Sequence, residues 1–290
     1  MKYQFIYDNS SRFSVMKMCL ILEVSKSGFY DWSKRPLSNR AKENIMIIER
    51  IKIISQNKNK RVYGSPRIHK DLIDSGIKCS KNRVARLMKK ANISSVVKKK
   101  WKATTNSKHS LPVAQNLLNQ NFHADKINEV WTSDITYIWT KEGWLYLCVI
   151  LDLYSRKVIG WSMDKSMKIE LVLKAIKQAI GRRGSREGVI FHSDRGVQYA
   201  AAFIQYFLKK NGFKQSMSRK GNCYDNAITE SFFHTLKTEH VYFEDYKTRA
   251  EAMSSIFSYI EIFYNMERRH SSLGYISPDN YERIAKEKIA

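Results

Sequence analysis

The order of strand-like and helix-like segments after residue 129 constrains the fold more than any other feature. Three β-rich apolar stretches come first, at 129–139, 144–151 and 157–163. Helix-like and strand-like segments then alternate: a helix at 168–181, a strand at 189–193, a helix at 199–210, a strand at 214–217, and helices at 227–240 and 248–267. This order predicts an α/β fold with a mixed five-stranded sheet flanked by helices.

The charge of the chain is strongly positive and unevenly distributed. Fifty-one Lys and Arg against 27 Asp and Glu give +24. Residues 1–124 carry 26 basic and 7 acidic residues, and residues 125–290 carry 25 and 20. Such an excess indicates a polyanionic partner, of which DNA is the commonest, although a merely over-charged surface is the alternative.

The cysteines and the hydropathy exclude several classes of protein. Cys19, Cys79, Cys148 and Cys223 lie 60 or more residues apart, so neither a zinc pattern nor a compact disulfide framework is predicted. No stretch reaches the roughly 18–20 apolar residues that span a bilayer. Free thiols fit a reducing cytoplasm, so we expect a soluble, cytoplasmic protein without membrane contact.

Residues 1–60 are predicted to form a helical N-terminal region. Phe13, Met16, Leu20 and Ile21 recur at helical spacing, and the segment 12–32 is interpreted as two short helices around a turn. A helix-turn-helix and an ordinary helical hairpin fit this segment equally. A third, amphipathic helix is predicted at 41–56.

Residues 61–95 resemble a helix-turn-helix layout more closely. Pro66 suits a first helical turn, Gly76 ends that helix, and Ser80 caps a second helix over Lys81–Lys90. The second helix is expected to enter the major groove and to expose five basic DNA-contact residues, Lys81, Arg83, Arg86, Lys89 and Lys90. A basic surface helix is the alternative. Residues 96–124 are predicted to be a linker that permits movement between this region and a catalytic core at 125–285.

Three carboxylates are candidates for catalysis. Asp134 lies within an apolar strand, Asp194 follows a buried strand, and Glu230 lies in a helix. Each alone has a structural explanation, but a strand position, a strand end and a crossing helix can converge on hard cations, so two Mg²⁺ ions are expected, with Mn²⁺ as a substitute. Asp152 and Asp225 are the rival carboxylates, and Asp225 is better explained as a helix cap.

Several longer motifs resemble those of one family. WTSDITYIW (131–139), LDLYSRKVIGW (151–161), FHSDRGVQY (191–199) and the stretch 218–239 are similar to the integrase core of insertion-sequence DDE transposases, specifically the product of the second open reading frame. The 35 residues between Asp194 and Glu230 match the spacing of that family. VSKSGFYDW (24–32), YGSPRIHKDL (63–72) and the stretch 264–281 extend the resemblance over nearly the whole chain. DKINEV before Trp131 lacks the proline often found there.

The resemblance implies an RNase H-like core of the retroviral-integrase-like superfamily, with Asp134, Asp194 and Glu230 as catalytic and metal-binding residues. It implies an enzyme that nicks the ends of an insertion element and joins the free 3′-hydroxyl to target DNA, working as a homo-oligomer on DNA with a first-frame partner protein or as a frameshift fusion. Lys237 would contact terminal DNA. His192 and Asn226 would shape the site, or would only be a packed residue and a cap. Arg268 and His270 would reach DNA, or would only tie the last helix down. The family also implies a nucleoid-associated protein of bacterial type. The alternatives are an RNase H-like nuclease without strand transfer and a non-catalytic DNA-binding protein from a decayed element.

Overall fold

The computed structural model describes residues 1–97, 113–184, 187–219 and 223–288. The strands are β1 (Val130–Thr140), β2 (Gly143–Asp152), β3 (Val158–Asp164), β4 (Ile190–Ser193) and β5 (Lys214–Met217). The helices before the sheet are α1 (Lys2–Asp8), α2 (Val15–Ile21), α3 (Lys26–Lys34), α4 (Asn39–Gln56), α5 (Ser65–Asp74) and α6 (Lys81–Lys90). Those that follow are α7 (Ile169–Arg183), α8 (Val197–Ala200), α9 (Ala202–Lys210), α10 (Ala227–Glu239), α11 (Arg249–Ser258) and α12 (Pro278–Glu287).

The five strands form one mixed sheet in the order β3-β2-β1-β4-β5. The first three strands pair antiparallel as consecutive hairpins, whereas β4 and β5 pair parallel to their neighbours. A right-handed crossover is the usual connection between parallel strands, and here helices follow β3 and β4. The predicted mixed five-stranded sheet of an RNase H-like core, preceded by helices, is confirmed.

The two faces of the sheet carry separate apolar cores because successive side chains alternate across a strand. On one face, Ile138, Leu147 and Val149 pack against α10, α11 and the N-terminal helices α4–α6. On the other, Trp131, Cys148 and Ile150 pack against α7 and α9. The helix-turn-helix region thus shares a core with the sheet rather than forming a detached unit.

The segment 113–124 also packs on the sheet, although it was predicted to be part of a movable linker. Leu118 and Ala124 are buried with Val130 and Leu153. The backbone N–H of Leu117 donates to Ser216 Oγ on β5 at 2.9 Å. Apolar residues in this stretch fix it to the core. Residues 98–112, which hold the lysine-rich part of the linker, lie outside the described residues.

The N-terminal helices α1–α3 enclose a small core of their own, built on Ile6, Met18 and Phe29. Ser25 Oγ accepts from the Gly28 N–H at 3.2 Å and caps α3, as the sequence suggested. Helices α2 and α3 are the two short helices predicted around a turn, but the four apolar side chains at helical spacing are exposed: Phe13, Met16, Leu20 and Ile21. Helix α2 buries the residues between them, and α1, which was not anticipated, covers that side.

Two further differences concern the C-terminal part. The helix predicted over 248–267 is α11 followed by a π-helical stretch, Tyr259–Glu267, which buries Tyr259, Phe263 and Tyr264. Helix α12 was missed, although Ser277 caps it and Pro278 occupies its first turn. Within the described segments, every helix is too short or too polar to cross a lipid bilayer.

Gly160 on β3 marks the closest approach of the sheet to α7. A Cβ there would lie 2.4 Å from the Ala175 carbonyl oxygen and 2.8 Å from Ala179 Cβ. We expect Gly160→Ala to lower the free energy of unfolding by about 1–3 kcal/mol, because backbone atoms must move apart. Urea denaturation at pH 7 measures this. Gly181→Ala is the control, since a Cβ meets nothing within 4 Å there; alanine should stabilise this helical site by about 0.5–1 kcal/mol.

Candidate catalytic site

Asp134 and Asp194 occupy equivalent positions on two neighbouring strands. The parallel pairing of β1 and β4 ends at Ser133 and Ser193, and each aspartate is the next residue. Asp134 Oδ1 accepts from the Ile135 N–H at 2.7 Å, and Asp194 Oδ1 accepts from the Gly196 N–H at 2.9 Å. These bonds fix the planes of two half-buried carboxylates at the carboxyl end of β4, where sites of open α/β sheets collect.

The first turn of α10 brings Glu230 to the same place. Asn226 Nδ2 donates to the Ser133 carbonyl at 3.3 Å, and Thr229 Oγ1 lies 3.0 Å from Thr132 Oγ1. Thr229, Asn226 and Thr132 are all buried. This polar contact joins the start of α10 to β1 beside Asp134, and Glu230 is the next residue along the helix. Glu230 itself is more exposed than the two aspartates.

The three carboxylates share one electrostatic environment. Burial, and then the negative charges of Asp194 and Glu230, raise the pKa of Asp134 well above its ordinary value. Loss of surrounding water and the charge of Asp194 raise the pKa of Glu230. Like charges within a few ångströms produce this effect. Among the described residues, however, no three His, Cys, Asp or Glu side chains gather closely enough to form a ready-made metal cluster.

Lys237 lies two turns after Glu230 and turns toward the site. Its Nζ is 4.9 Å from the ring centroid of Tyr137, and its charge stabilises the Asp134 carboxylate. Burial lowers the pKa of Lys237, and Asp134 partly restores it. Lys237 is therefore half-buried beside Asp134 and Tyr137 and is not a fully solvated lysine on an outer helix face.

His192 and Asn226 support the site from behind. His192 is buried on β4, with Nδ1 2.9 Å from Ser216 Oγ and Nε2 3.3 Å from Ser218 Oγ. Burial lowers its pKa to about 4, so the ring is neutral at pH 7. It ties β4 to β5 just before Asp194. Asn226 ties α10 to β1, as described above.

Arg268 and His270 lie in the C-terminal segment, where Arg268 is buried and His270 is half-buried. Arg268 is buried and pairs with Glu239 through both ends of its guanidinium, Nε to Oε2 at 2.7 Å and Nη2 to Oε1 at 2.8 Å. Its Nη1 lies 3.0 Å from His270 Nε2. Burial lowers the pKa of His270 to about 2, so it is neutral. Of the two roles considered, tying the C-terminal segment down is the one that fits.

The two rival carboxylates have structural partners. Asp152 is buried and accepts from the backbone N–H groups of Asn128 and Tyr154. The turn-like sequence around Asp225 predicted that this residue caps a helix, and that prediction is wrong. Its carboxylate is buried and accepts from Arg219, Asn116 and Gln120, which holds the segment before α10 against the end of the linker. The Arg219 partner lowers the pKa of Asp225. The turn-forming residues around Asp225 could not indicate that its partners lie 105 and 109 residues earlier in the chain.

The helix-turn-helix region has the predicted geometry with one correction. Gly76 adopts φ +81° between α5 and α6, and Ser80 Oγ accepts from the Arg83 N–H at 3.2 Å. Lys81, Arg86, Lys89 and Lys90 are exposed. Arg83 was predicted to be exposed and is buried instead. Its guanidinium bonds to Asn44 at 3.0 Å and Glu43 at 2.9 Å on α4, because its helical phase matches that of the buried Val84 and Leu87.

Comparison with known proteins identifies the family. Models of the integrase core domain match residues 124–223 and 211–278, and a model of an HTH-like domain matches residues 42–101. The transposase InsF of insertion sequence IS3A from Escherichia coli (strain K12) is 40% identical over 283 residues, 97% of this chain and 98% of that protein. This chain belongs to the IS3-type insertion-sequence transposases. An insertion element IS600 protein of 31 kDa from Shigella sonnei, described as uncharacterized, is 44% identical over 92% of the transposase and 100% of its own length.

Solved integrase cores are more distant from the transposase. The catalytic core of HTLV-2 integrase in complex with magnesium is 16% identical and covers 55% of the transposase and 99% of that core, with a TM-score of 0.42. Because that score is below 0.5, the fold assignment rests on the strand order and the family models. The transposase presents its three acidic residues at the edge where β1 and β4 part.

Proposed function

We propose that the transposase cuts the ends of its insertion element and joins the freed 3′-hydroxyl to target DNA, with Asp134, Asp194 and Glu230 as ligands of two Mg²⁺ ions. The observation that carries this proposal is the pairing of two aspartates on adjacent parallel strands within the electrostatic field of a helical glutamate. These are hard oxygen donors of the kind Mg²⁺ prefers, and Mn²⁺ can take its place.

The chemical environment of these residues fits divalent cations. Burial and then repulsion between the carboxylates raise the pKa of Asp134 and of Glu230, and a bound cation would relieve that repulsion. When bound, Mg²⁺ supplies an activated water or 3′-hydroxyl and neutralises charge on the leaving oxygen. The chain contributes the fixed planes of Asp134 and Asp194, the anchored first turn of α10, and the Lys237 ammonium for a DNA phosphate.

The experiment that tests this function uses the element's own end DNA. The full-length transposase, incubated with Mg²⁺, should nick a duplex end, and a pre-nicked end should be joined to a second duplex. Nicking without joining would instead indicate a nuclease, and binding without either reaction would indicate a DNA-binding protein. Omission of divalent metal should stop both reactions while DNA binding persists.

Four exposed basic residues of α6 are proposed to contact DNA phosphates: Lys81, Arg86, Lys89 and Lys90. Arg83 is omitted from this set because its guanidinium is buried against α4. We also infer that the transposase acts as a homo-oligomer on DNA in the cytoplasm, associated with the nucleoid. We further propose that the transposase works with a first-frame partner protein or as a frameshift fusion. Its proposed functional regions are residues 1–60, 61–95, 96–124 and 125–285.

Replacing the two lysines at the end of α6 should weaken DNA binding in a salt-dependent way. For Lys89→Ala/Lys90→Ala we expect the slope of log K against log salt to fall in magnitude by about 1.8, since each phosphate contact contributes about 0.9. Fluorescence anisotropy measures this slope between roughly 50 and 200 mM salt, the range over which phosphate contacts change the affinity strongly. Lys209→Ala/Lys210→Ala, two exposed lysines in the last turn of α9, is the matched control. An equal change in both variants would contradict a specific role for α6.

A further inference from the structure

Three aromatic rings lie along the β1–β2 hairpin, farther along β1 than Asp134 or on the facing strand β2. Trp139 and Trp144 face each other across the hairpin, with ring centroids 4.9 Å apart and edge to face. Tyr137 packs on Trp144 in the same way, also at 4.9 Å. Trp139 is 59% exposed and Trp144 43% exposed. Large rings held rigidly and left in contact with water are unusual in a monomer and indicate a binding surface.

The rings are continuous with the candidate catalytic site. Asp134 and Tyr137 point to opposite faces of β1, but beyond Ser133 the described part of the chain pairs no strand with this edge of β1. Lys237 spans the gap: its Nζ lies over the Tyr137 ring, and its charge acts on Asp134. A ligand at the carboxylates can therefore pass Lys237 and reach the rings around one open edge.

The charges near the rings favour an anionic occupant. Lys237 is the nearest cation. The hairpin turn carries Lys141, whose partner Asp245 is 80% exposed, and Glu142, whose carboxylate accepts from the Arg249 backbone N–H at 2.8 Å. The Arg249 guanidinium donates to the carbonyls of Glu142 and Trp144 and keeps its positive charge beside the rings. Aromatic rings beside cations are the components of sites for single-stranded nucleic acid.

We propose that Tyr137, Trp139 and Trp144 form a stacking platform for unpaired bases of the DNA strand whose phosphate lies at Asp134, Asp194 and Glu230. This inference rests on the proposed function for the position of that phosphate. At about 3.4 Å per residue, Tyr137 lies about 10 Å and Trp139 about 17 Å along the strand from Asp134. At the roughly 3.4 Å rise of stacked duplex DNA, these distances correspond to at most about three to five nucleotides from the reacting phosphate, and an extended unpaired strand covers them in fewer.

The test measures binding rather than catalysis. The full-length transposase is titrated, with EDTA and no divalent metal, with a duplex that carries five unpaired nucleotides at its end and with the same duplex fully paired. Wild type should bind the unpaired end more tightly and lose tryptophan fluorescence. Trp139→Ala/Trp144→Ala should weaken binding of the unpaired end by roughly 5- to 100-fold, since stacking contributes about 1–3 kcal/mol per base. Binding of the paired duplex should change less than about twofold, because it offers no free base to stack.

Two further variants separate stacking from other causes. Trp139→Phe/Trp144→Phe keeps aromatic rings and should retain most of the preference for the unpaired end. Phe203→Ala/Tyr206→Ala removes two exposed rings from α9 and should leave it unchanged. Equal affinity of wild type for both duplexes, or equal losses on both in Trp139→Ala/Trp144→Ala, would overturn the proposal. So would a change of oligomeric state in that variant in sedimentation without DNA, since the rings would then belong to an interface between copies.

The outcome does not depend on the catalytic assignment, because no metal is present. If Asp134→Asn cleaved DNA normally, the proposed function would fall while a preference for unpaired ends could still be observed. If the aromatic variants bound both duplexes as wild type does and Asp134→Asn were inactive, only the platform would be refuted.

Discussion

Asp134→Asn is expected to reduce nicking of the element's end DNA by at least about 10³-fold, while DNA binding without metal stays within about twofold. Loss of one ligand charge removes several kcal/mol of transition-state stabilisation, and each 1.4 kcal/mol corresponds to a tenfold change in rate. Asp194→Asn and Glu230→Gln should behave alike. Gel assays of strand cleavage, with binding measured separately by anisotropy, check this expectation.

A thermal-shift measurement adds a readout that does not depend on catalysis. Mg²⁺ that binds the folded protein should raise the melting temperature of wild type and raise that of Asp134→Asn much less. Without metal the variant should be at least as stable as wild type, because one of three mutually repelling charges has gone. Asp164→Asn, at the end of β3, is the matched control and should cleave normally. Normal cleavage by Asp134→Asn would refute the three-carboxylate assignment.

The sheet and the approach of the two aspartates were predictable because strand periodicity is local. Alternation around Asp134 and the apolar run before Asp194 defined two strands, and parallel strands end at a common edge. Glu230 required more than periodicity. A helical pattern alone does not single out one of the chain's 27 acidic residues, and the 35-residue spacing from Asp194, known from the family resemblance, supplied the choice.

The errors in the sequence-based predictions arise from contacts between distant segments. Arg83 looks like the other basic residues of α6, and only the position of α4 explains why Glu43 and Asn44 bury it. The helical spacing of apolar residues in α2 did not show which of its faces is buried, because an amphipathic pattern does not say which helix lies opposite. Asp225 was interpreted as a cap because its partners Asn116 and Gln120 lie more than 100 residues earlier in the chain.

Breaking the buried ion pair at the end of α10 should destabilise the transposase more than any surface substitution. Glu239 lies between Arg268 and Arg67, at 2.7 and 3.1 Å, and the Glu239 and Arg268 side chains are 9% and 5% exposed. Glu239→Gln should lower the free energy of unfolding by about 3–5 kcal/mol at pH 7, because the buried Arg268 and the half-buried Arg67 guanidinium groups lose their counter-charge. Urea denaturation followed by circular dichroism measures the change.

The pH dependence of the free energy of unfolding gives an independent test of the Glu239→Gln effect. Burial alone would raise the pKa of Glu239, but the charges of Arg268 and Arg67 outweigh it and hold the pKa below the ordinary value of 4.5. A carboxyl whose pKa is lowered by folding contributes stability above its unfolded pKa and loses it as the pH falls through the folded pKa. The difference between wild type and Glu239→Gln should therefore be constant above about pH 5 and shrink below pH 4.5, around the unfolded carboxyl pKa.

A double substitution separates charge from packing at this position. Glu239→Met/Arg268→Met replaces the pair with apolar side chains of similar volume and should be closer to wild type than Glu239→Gln, since the buried Arg268 charge is removed together with its partner and only Arg67 loses a counter-charge. Because Glu239 ends the helix that carries Glu230 and Lys237, and Arg67 belongs to α5, the same cluster joins the helix-turn-helix region to α10. If Glu239→Gln were as stable as wild type at pH 7, that connection would carry no energetic weight, and the shared core of α4–α6 with the sheet would alone hold the two regions together.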